Sequence, residues 1–104
     1  MYKIVITNPA ENDLRDAISY ISNKLKNKIA AKNLLDETEN MINSLSDMPE
    51  RYSVVNDAVL AAQGIRMINI TNYSAFYVVR EESKSITVLR FLFSRRDWIN
   101  ILKD

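Results

Sequence analysis

The main change in the hydrophobic period of this chain, from helical to strand spacing, falls at its only glycine, Gly64. Before it, apolar residues recur at helical spacing. Leu14, Ala17, Ile18, Ile21 and Leu25 form one stripe; Ala31, Leu34, Leu35, Thr38, Met41, Ile42 and Leu45 form another. After it they gather into short β-branched and aromatic runs: Ile65 to Thr71, Tyr73 to Arg80 and Ile86 to Phe93. A period of about 3.6 buries one stripe of a helix, and a period of 2 one face of a strand. A helical half is therefore expected to lie on a sheet half. One more strand precedes the helices, in Tyr2-Lys3-Ile4-Val5-Ile6-Thr7, where Tyr2, Ile4 and Ile6 alternate.

The punctuation agrees with this division. Asn8-Pro9-Ala10-Glu11 stops the first strand and starts a helix. Asn8 is the expected cap, Pro9 suits the first helical position, and Glu11 can bond back to the cap. Lys26-Asn27-Lys28 is a short break with Asn27 as a second cap, and Met48-Pro49 closes the second helix. So short a connection predicts an αα-hairpin. Residues 49–63 show no clear period. Thr71-Asn72 and Glu81 to Lys84 are the expected hairpin turns of a meander. In the last strand Val88 and Leu92 share one parity, and Leu89, Phe91 and Phe93 the other, as in a central strand. Ser94-x-x-Asp97 resembles a capping box, and Trp98, Ile101 and Leu102 give a short final helix its apolar face. The expectation is one α+β domain over residues 1–104, in the order β-α-α-β-β-β-α. An antiparallel meander with an N-terminal strand would be covered on one face by the αα-hairpin, with a short C-terminal helix. The other face would be left for basic residues or a partner.

Composition narrows the chemistry. The chain has no cysteine and no histidine. Thiolate and imidazole metal ligands, disulfides, histidine acid–base catalysis and a serine–histidine triad are thereby excluded. No cofactor or metal is expected. No apolar run approaches membrane-spanning length and no signal peptide is evident, so a cytoplasmic protein without a membrane partner is expected. The net charge of +1 hides an asymmetry: residues 1–63 carry seven Lys/Arg against nine Asp/Glu, and residues 64–104 carry seven against four. The second half is the better phosphate-facing surface.

Arginine binds phosphate bidentately and keeps its charge, which makes Arg66, Arg90, Arg95 and Arg96 the candidate anion contacts. Tyr73 and Tyr77 share a parity and are phenols near Arg90. Their ordinary pKa near 10 makes them possible acids and poor bases. The structural readings stand beside these: sheet packing for Tyr73, Phe76 and Tyr77, an anchor for the last helix in Trp98, a cap or arginine partner in Asp97, and a solvated loop in Lys24, Lys26 and Lys28.

Four stretches in the right order resemble the RelE/ParE superfamily of bacterial type II toxins over nearly the whole chain: "YKIVITNPAENDLRDAISYI", "LSDMPERY", "GIRMINITNYSAFYVV" and "ITVLRFLFSRRDW". The resemblance implies a cytoplasmic toxin that inhibits growth and is neutralised by a cognate antitoxin protein, as a homodimer or a toxin–antitoxin hetero-oligomer. RelE-like members are ribosome-dependent, metal-free mRNA endoribonucleases, and ParE-like members inhibit DNA gyrase. For a nuclease, the resemblance implies Arg66, Arg90, Tyr73 and Arg95 as catalytic residues. For target or antitoxin binding it points to Arg66, Tyr77, Arg90, Arg95, Arg96 and Trp98. RelE-like nucleases commonly carry an arginine after the hairpin tyrosine, where this chain has Ser74. A close nuclease branch ends its exit in His-Tyr, where this chain has Asp97-Trp98. Arg96-Asp97 resembles the ParE-like ending His-Gly-x-Arg-Asp without its histidine. The ParE-like reading is therefore preferred. Arg90→Ala and Arg95→Ala are expected to reduce toxicity with the thermal midpoint nearly unchanged.

Overall fold

The computed structural model describes residues 1–104. Its elements are β1 (Lys3–Ile6), α1 (Asn8–Ser19) continued by a π-turn (Tyr20–Lys24), α2 (Lys28–Ser44), α3 (Ala58–Ala62), β2 (Arg66–Ile70), β3 (Tyr73–Arg80), β4 (Ser85–Phe93) and α4 (Trp98–Lys103). The four strands form one sheet in the order β1-β4-β3-β2. The expected meander is there, with β2–β3 and β3–β4 antiparallel, and β1 closes the far side by pairing parallel to β4. No helix is long and apolar enough to cross a membrane.

The helical hairpin lies on one face of the sheet. Ala10 and Ala17 of α1 and Leu34 and Ile42 of α2 pack with Leu45 against Ile68, Ile70, Ala75, Tyr77, Ile86, Val88 and Phe91. The opposite face is not left bare, as the sequence pattern suggested. Val55, Leu60, Ile65, Phe76 and Leu92 make a second core there, with Trp98, Ile99, Ile101 and Leu102 packed on it. Both α3 and α4 therefore cover this face. The helix α3 has only five residues, too few to show a period, and Asp57 caps it by accepting from the Leu60 amide at 3.1 Å. Trp98 lies against Phe76, ring centres 5.1 Å apart, and anchors α4 to the sheet.

Two caps differ from the expectation. Thr7, not Asn8, caps α1, its hydroxyl accepting from the Ala10 amide at 3.2 Å, so Pro9 sits in the second helical position. Glu11 turns to Arg15 at 3.0 Å instead of back to the cap. The Ser94/Asp97 box does not form. Helix α4 starts only at Trp98, Asp97 accepts from the Asn100 side chain at 2.6 Å, and Ser94 meets Ser74 at 2.9 Å. Asn27 does cap α2, accepting from the Ala30 amide at 3.0 Å.

The parity read along β4 also fails, for one local reason. Phe76 pairs with Arg90, yet its neighbour Tyr77 pairs with Val88, so Leu89 has no opposite residue. This β-bulge shifts the alternation by one. Val88 and Phe91 consequently share the hairpin core, whereas Leu89 and Leu92 face the second core. The bulge lies where β1 stops, since the last β1–β4 pair is Ile6 with Val88. Thr7 carries the hydrogen bonding onward, its hydroxyl donating to the Leu89 carbonyl at 2.9 Å. One hydroxyl thus caps α1 and closes the bulge. Thr7→Ala is expected to cost about 1–2 kcal/mol, read as a lower urea midpoint with an unchanged m-value.

Candidate functional site

Beyond the bulge, β4 has no strand on its β1 side, and α1 crosses it instead. Asp13 is the residue that makes this crossing possible. Its carboxylate accepts from Arg90 Nε at 2.7 Å and Nη2 at 2.9 Å, and from the Phe91 amide at 3.0 Å. The third bond satisfies a backbone donor that no strand reaches. The first two make a bidentate fork. Both side chains are largely shielded, with 28% of Arg90 and 13% of Asp13 exposed. The hydrogen-bonded carboxylate holds the Arg90 guanidinium above its ordinary pKa, against the opposing effect of burial.

Arg66 is engaged at a different place. Its Nη1 donates to the Tyr52 carbonyl at 2.6 Å, and its Nη2 lies 3.5 Å from Glu50. Tyr77, fully buried one strand over, donates its hydroxyl to the Pro49 carbonyl at 2.9 Å. Together they bind the loop after α2 to the sheet, and Val54 bridges antiparallel to Arg66 as part of the same attachment. Tyr73 stands at the far end of β3. Its ring stacks on Phe91 at 5.0 Å and meets Phe93 edge-on at 5.6 Å.

Burial pushes both phenols above their ordinary pKa; for Tyr73 the nearby Tyr20 adds to it, and for Tyr77 the Arg66 charge opposes it. Both remain protonated at neutral pH, and neither is a base. Arg95 and Arg96 are exposed in the turn before α4 and make no ion pair. No three His, Cys, Asp or Glu side chains gather as a metal site would need.

The sequence candidates thus divide. Arg66 and Tyr77 hold the loop after α2, and Arg90 holds α1 to β4. Trp98 holds α4. Arg95 and Arg96 keep free guanidinium groups at the surface, with Tyr73 nearby in the sheet. The four residues proposed for catalysis do not meet at one point: Arg66 lies on the β2 edge and Arg90 under α1, each with its own partners. Asp13 was missed as a site residue. Its signal in sequence was an acid on α1 at a position that no cap or i,i+4 pair explains.

Two outcomes test this placement. Arg90→Ala leaves the shielded Asp13 carboxylate unpaired and is expected to cost about 2 kcal/mol, whereas Arg95→Ala stays within about 0.5 kcal/mol of the parent, both by urea denaturation. This separates two substitutions that sequence alone treats as equivalent. Stability should also fall above pH 10. There the unfolded chain releases tyrosine protons that folded Tyr77 and Tyr73 retain, so the folded state binds more protons and loses stability as pH rises. Tyr77→Phe is expected to lower stability at pH 7 and to flatten the alkaline fall, as measured by urea midpoints across the range.

The chain matches the family model of the ParE toxin of the type II toxin–antitoxin system parDE over residues 4–98. Among solved structures it is similar to a chain of the chromosomal ParDE toxin–antitoxin system from P. aeruginosa, at 19% identity and TM-score 0.71, covering 89% of this chain and 96% of that one. It is similar to a chain of the toxin–antitoxin complex RelBE2 from Mycobacterium tuberculosis, at 19% identity and TM-score 0.61, covering 88% and 96%. It also resembles the isolated E. coli RelE toxin, at 16% identity and TM-score 0.55, covering 99% and 97%. At these identities the structural likeness establishes the fold. No protein of curated function matches the chain by sequence.

Proposed function

The chain belongs to the ParE toxin family of type II toxin–antitoxin systems, and from that premise we propose that it arrests growth without cutting RNA. DNA gyrase is the target this reading assigns, the cytoplasm its compartment, and a cognate antitoxin its inhibitor. One observation carries the non-nucleolytic part. Metal-free cleavage of a phosphodiester needs a base for the 2′-OH, cations on the phosphate and an acid for the leaving oxygen, brought to one point. Here Arg66 and Arg90 spend their guanidinium groups on Tyr52, Glu50 and Asp13 of their own chain. Moving either onto a phosphate would leave a carboxylate or a carbonyl without its donor. Tyr73 and Tyr77 hold their protons, and the only carboxylate on the exit turn, Asp97, is occupied by Asn100.

The antitoxin part rests on the family and on the named neighbours, which come from a ParDE system and a RelBE2 complex. Arg95 and Arg96 are the free cations that acidic side chains of such a partner would cover. The assembly is then a toxin–antitoxin hetero-oligomer. Induction of the protein, followed by mapping of mRNA 5′ ends alongside chromosome integrity and supercoiling, tests the reading. Intact mRNA with a DNA-damage response is the expected result. Codon-positioned cuts within minutes would overturn it in favour of the RelE-like nuclease. Co-expression of the neighbouring small reading frame is expected to restore growth.

A further inference from the structure

One cleft is left open by the fold, and of its lining residues only Arg96 was assigned above to a partner. It opens between α1 and the far ends of β3 and β4, with a volume of ≈ 480 Å³, and its lining includes Asp16, Tyr20, Tyr73, Phe93 and Arg96. Its walls are aromatic and partly bare: Tyr20 is 53% exposed and Phe93 38%. The Tyr73 ring is also held in place by its contacts with Phe91 and Phe93. Rigid rings present a stacking surface at little cost in side-chain entropy.

Two charges of the cleft lack ion-pair partners. Asp16 and Arg96 form no ion pair within the chain, while Asp13, at the same wall, is spent on Arg90. The π-turn begins at Tyr20, at the rim of the cleft, and irregularities of this kind concentrate at functional positions. The cleft therefore combines partly exposed aromatic rings, an acceptor-only carboxylate and a cation.

Few ligands need all three. A carboxylate accepts two N–H groups side by side. Guanine offers such a pair in N1–H and the N2 amino group, whereas adenine and cytosine each set one donor beside an acceptor. An exposed aromatic ring takes the base by stacking, and an arginine takes a phosphate. We propose that this cleft binds a guanine 5′-mononucleotide, its base against Tyr20, Tyr73 and Phe93, its N1–H and N2 amino group on Asp16, and its phosphate on Arg96. The assignment shares Arg96 with the antitoxin surface proposed above but does not rest on it, since binding is read on the chain alone.

Calorimetric titration of the full chain with GMP, AMP and guanosine tests it, with Asp16→Ala and Arg96→Ala as variants. GMP is expected to bind about tenfold more tightly than AMP and measurably more tightly than guanosine. Asp16→Ala should abolish the preference for guanine over adenine. Arg96→Ala should bring GMP down to the affinity of guanosine and leave guanosine unchanged. Both side chains are exposed, and unchanged melting curves verify that the variants fold. Ring proton shifts of Tyr20 and Tyr73 on adding GMP to the parent chain give a readout independent of any variant. The proposal is overturned by absent heat and shifts at millimolar GMP, by equal affinity for AMP and GMP, or by variants that bind as the parent does. A guanine-containing tetranucleotide that binds more than about tenfold tighter than GMP, with a steep salt dependence, overturns it in favour of a strand ligand.

Discussion

Three donors converge on one carboxylate, that of Asp13, and much of the domain depends on that convergence. The strand β1 is only four residues long and covers just the first half of β4. The rest of that edge would expose unpaired backbone to solvent. Thr7 and Asp13, six residues apart on either side of the strand-to-helix junction, replace the missing strand with side-chain oxygens. The chain can then turn from β1 into α1 while still hydrogen-bonding to β4. The Arg90 fork fixes the rotamer of Asp13 and offsets its charge in a shielded place. Loss of either partner would leave the other's hydrogen-bonding groups unsatisfied.

The same arrangement bears on function. A central-strand arginine in a toxin of this superfamily invites a catalytic reading. In this chain its guanidinium faces a helix carboxylate and not the solvent. Arg66 follows the same logic on the opposite edge, where it ties the loop after α2 to β2, with Tyr77 assisting from beneath. Residues of the right type for phosphate chemistry are thus distributed into structural contacts. The cations left over, Arg95 and Arg96, lie on one turn at the surface. They suit recognition of a partner or a ligand better than stabilisation of a transition state, which requires donors preorganised in a water-excluded site.

The element order, the αα-hairpin and the meander were legible because they depend on local period and turn chemistry. Asn27 and the Thr71-Asn72 turn were readable for the same reason. The short helix α3 was not, since five residues between a loop and Gly64 carry no period. Nor was the cap at Thr7: Asn8 is the better cap in isolation, and the bond from Thr7 to the Leu89 carbonyl favours Thr7. The capping box at Ser94 had the right residues, but Ser94 is drawn to Ser74 across the sheet and α4 begins a turn later.

The site shows the limit most clearly. Sequence alone determined which residue types were available: no histidine or cysteine, five arginines in the second half with two tyrosines among them, and hence no imidazole chemistry and a preference for a non-nucleolytic toxin. It also determined the family, because the spacing of the four matching stretches survives without knowledge of contacts. Only the tertiary structure decided which arginines are free. That depends on Asp13 and Arg90, far apart in sequence, meeting where β1 runs out, and on a single bulge at Leu89 that reverses the faces of β4. A one-residue insertion in a strand leaves no trace in hydrophobic alternation when both faces are apolar, so the register emerges only when both cores are packed.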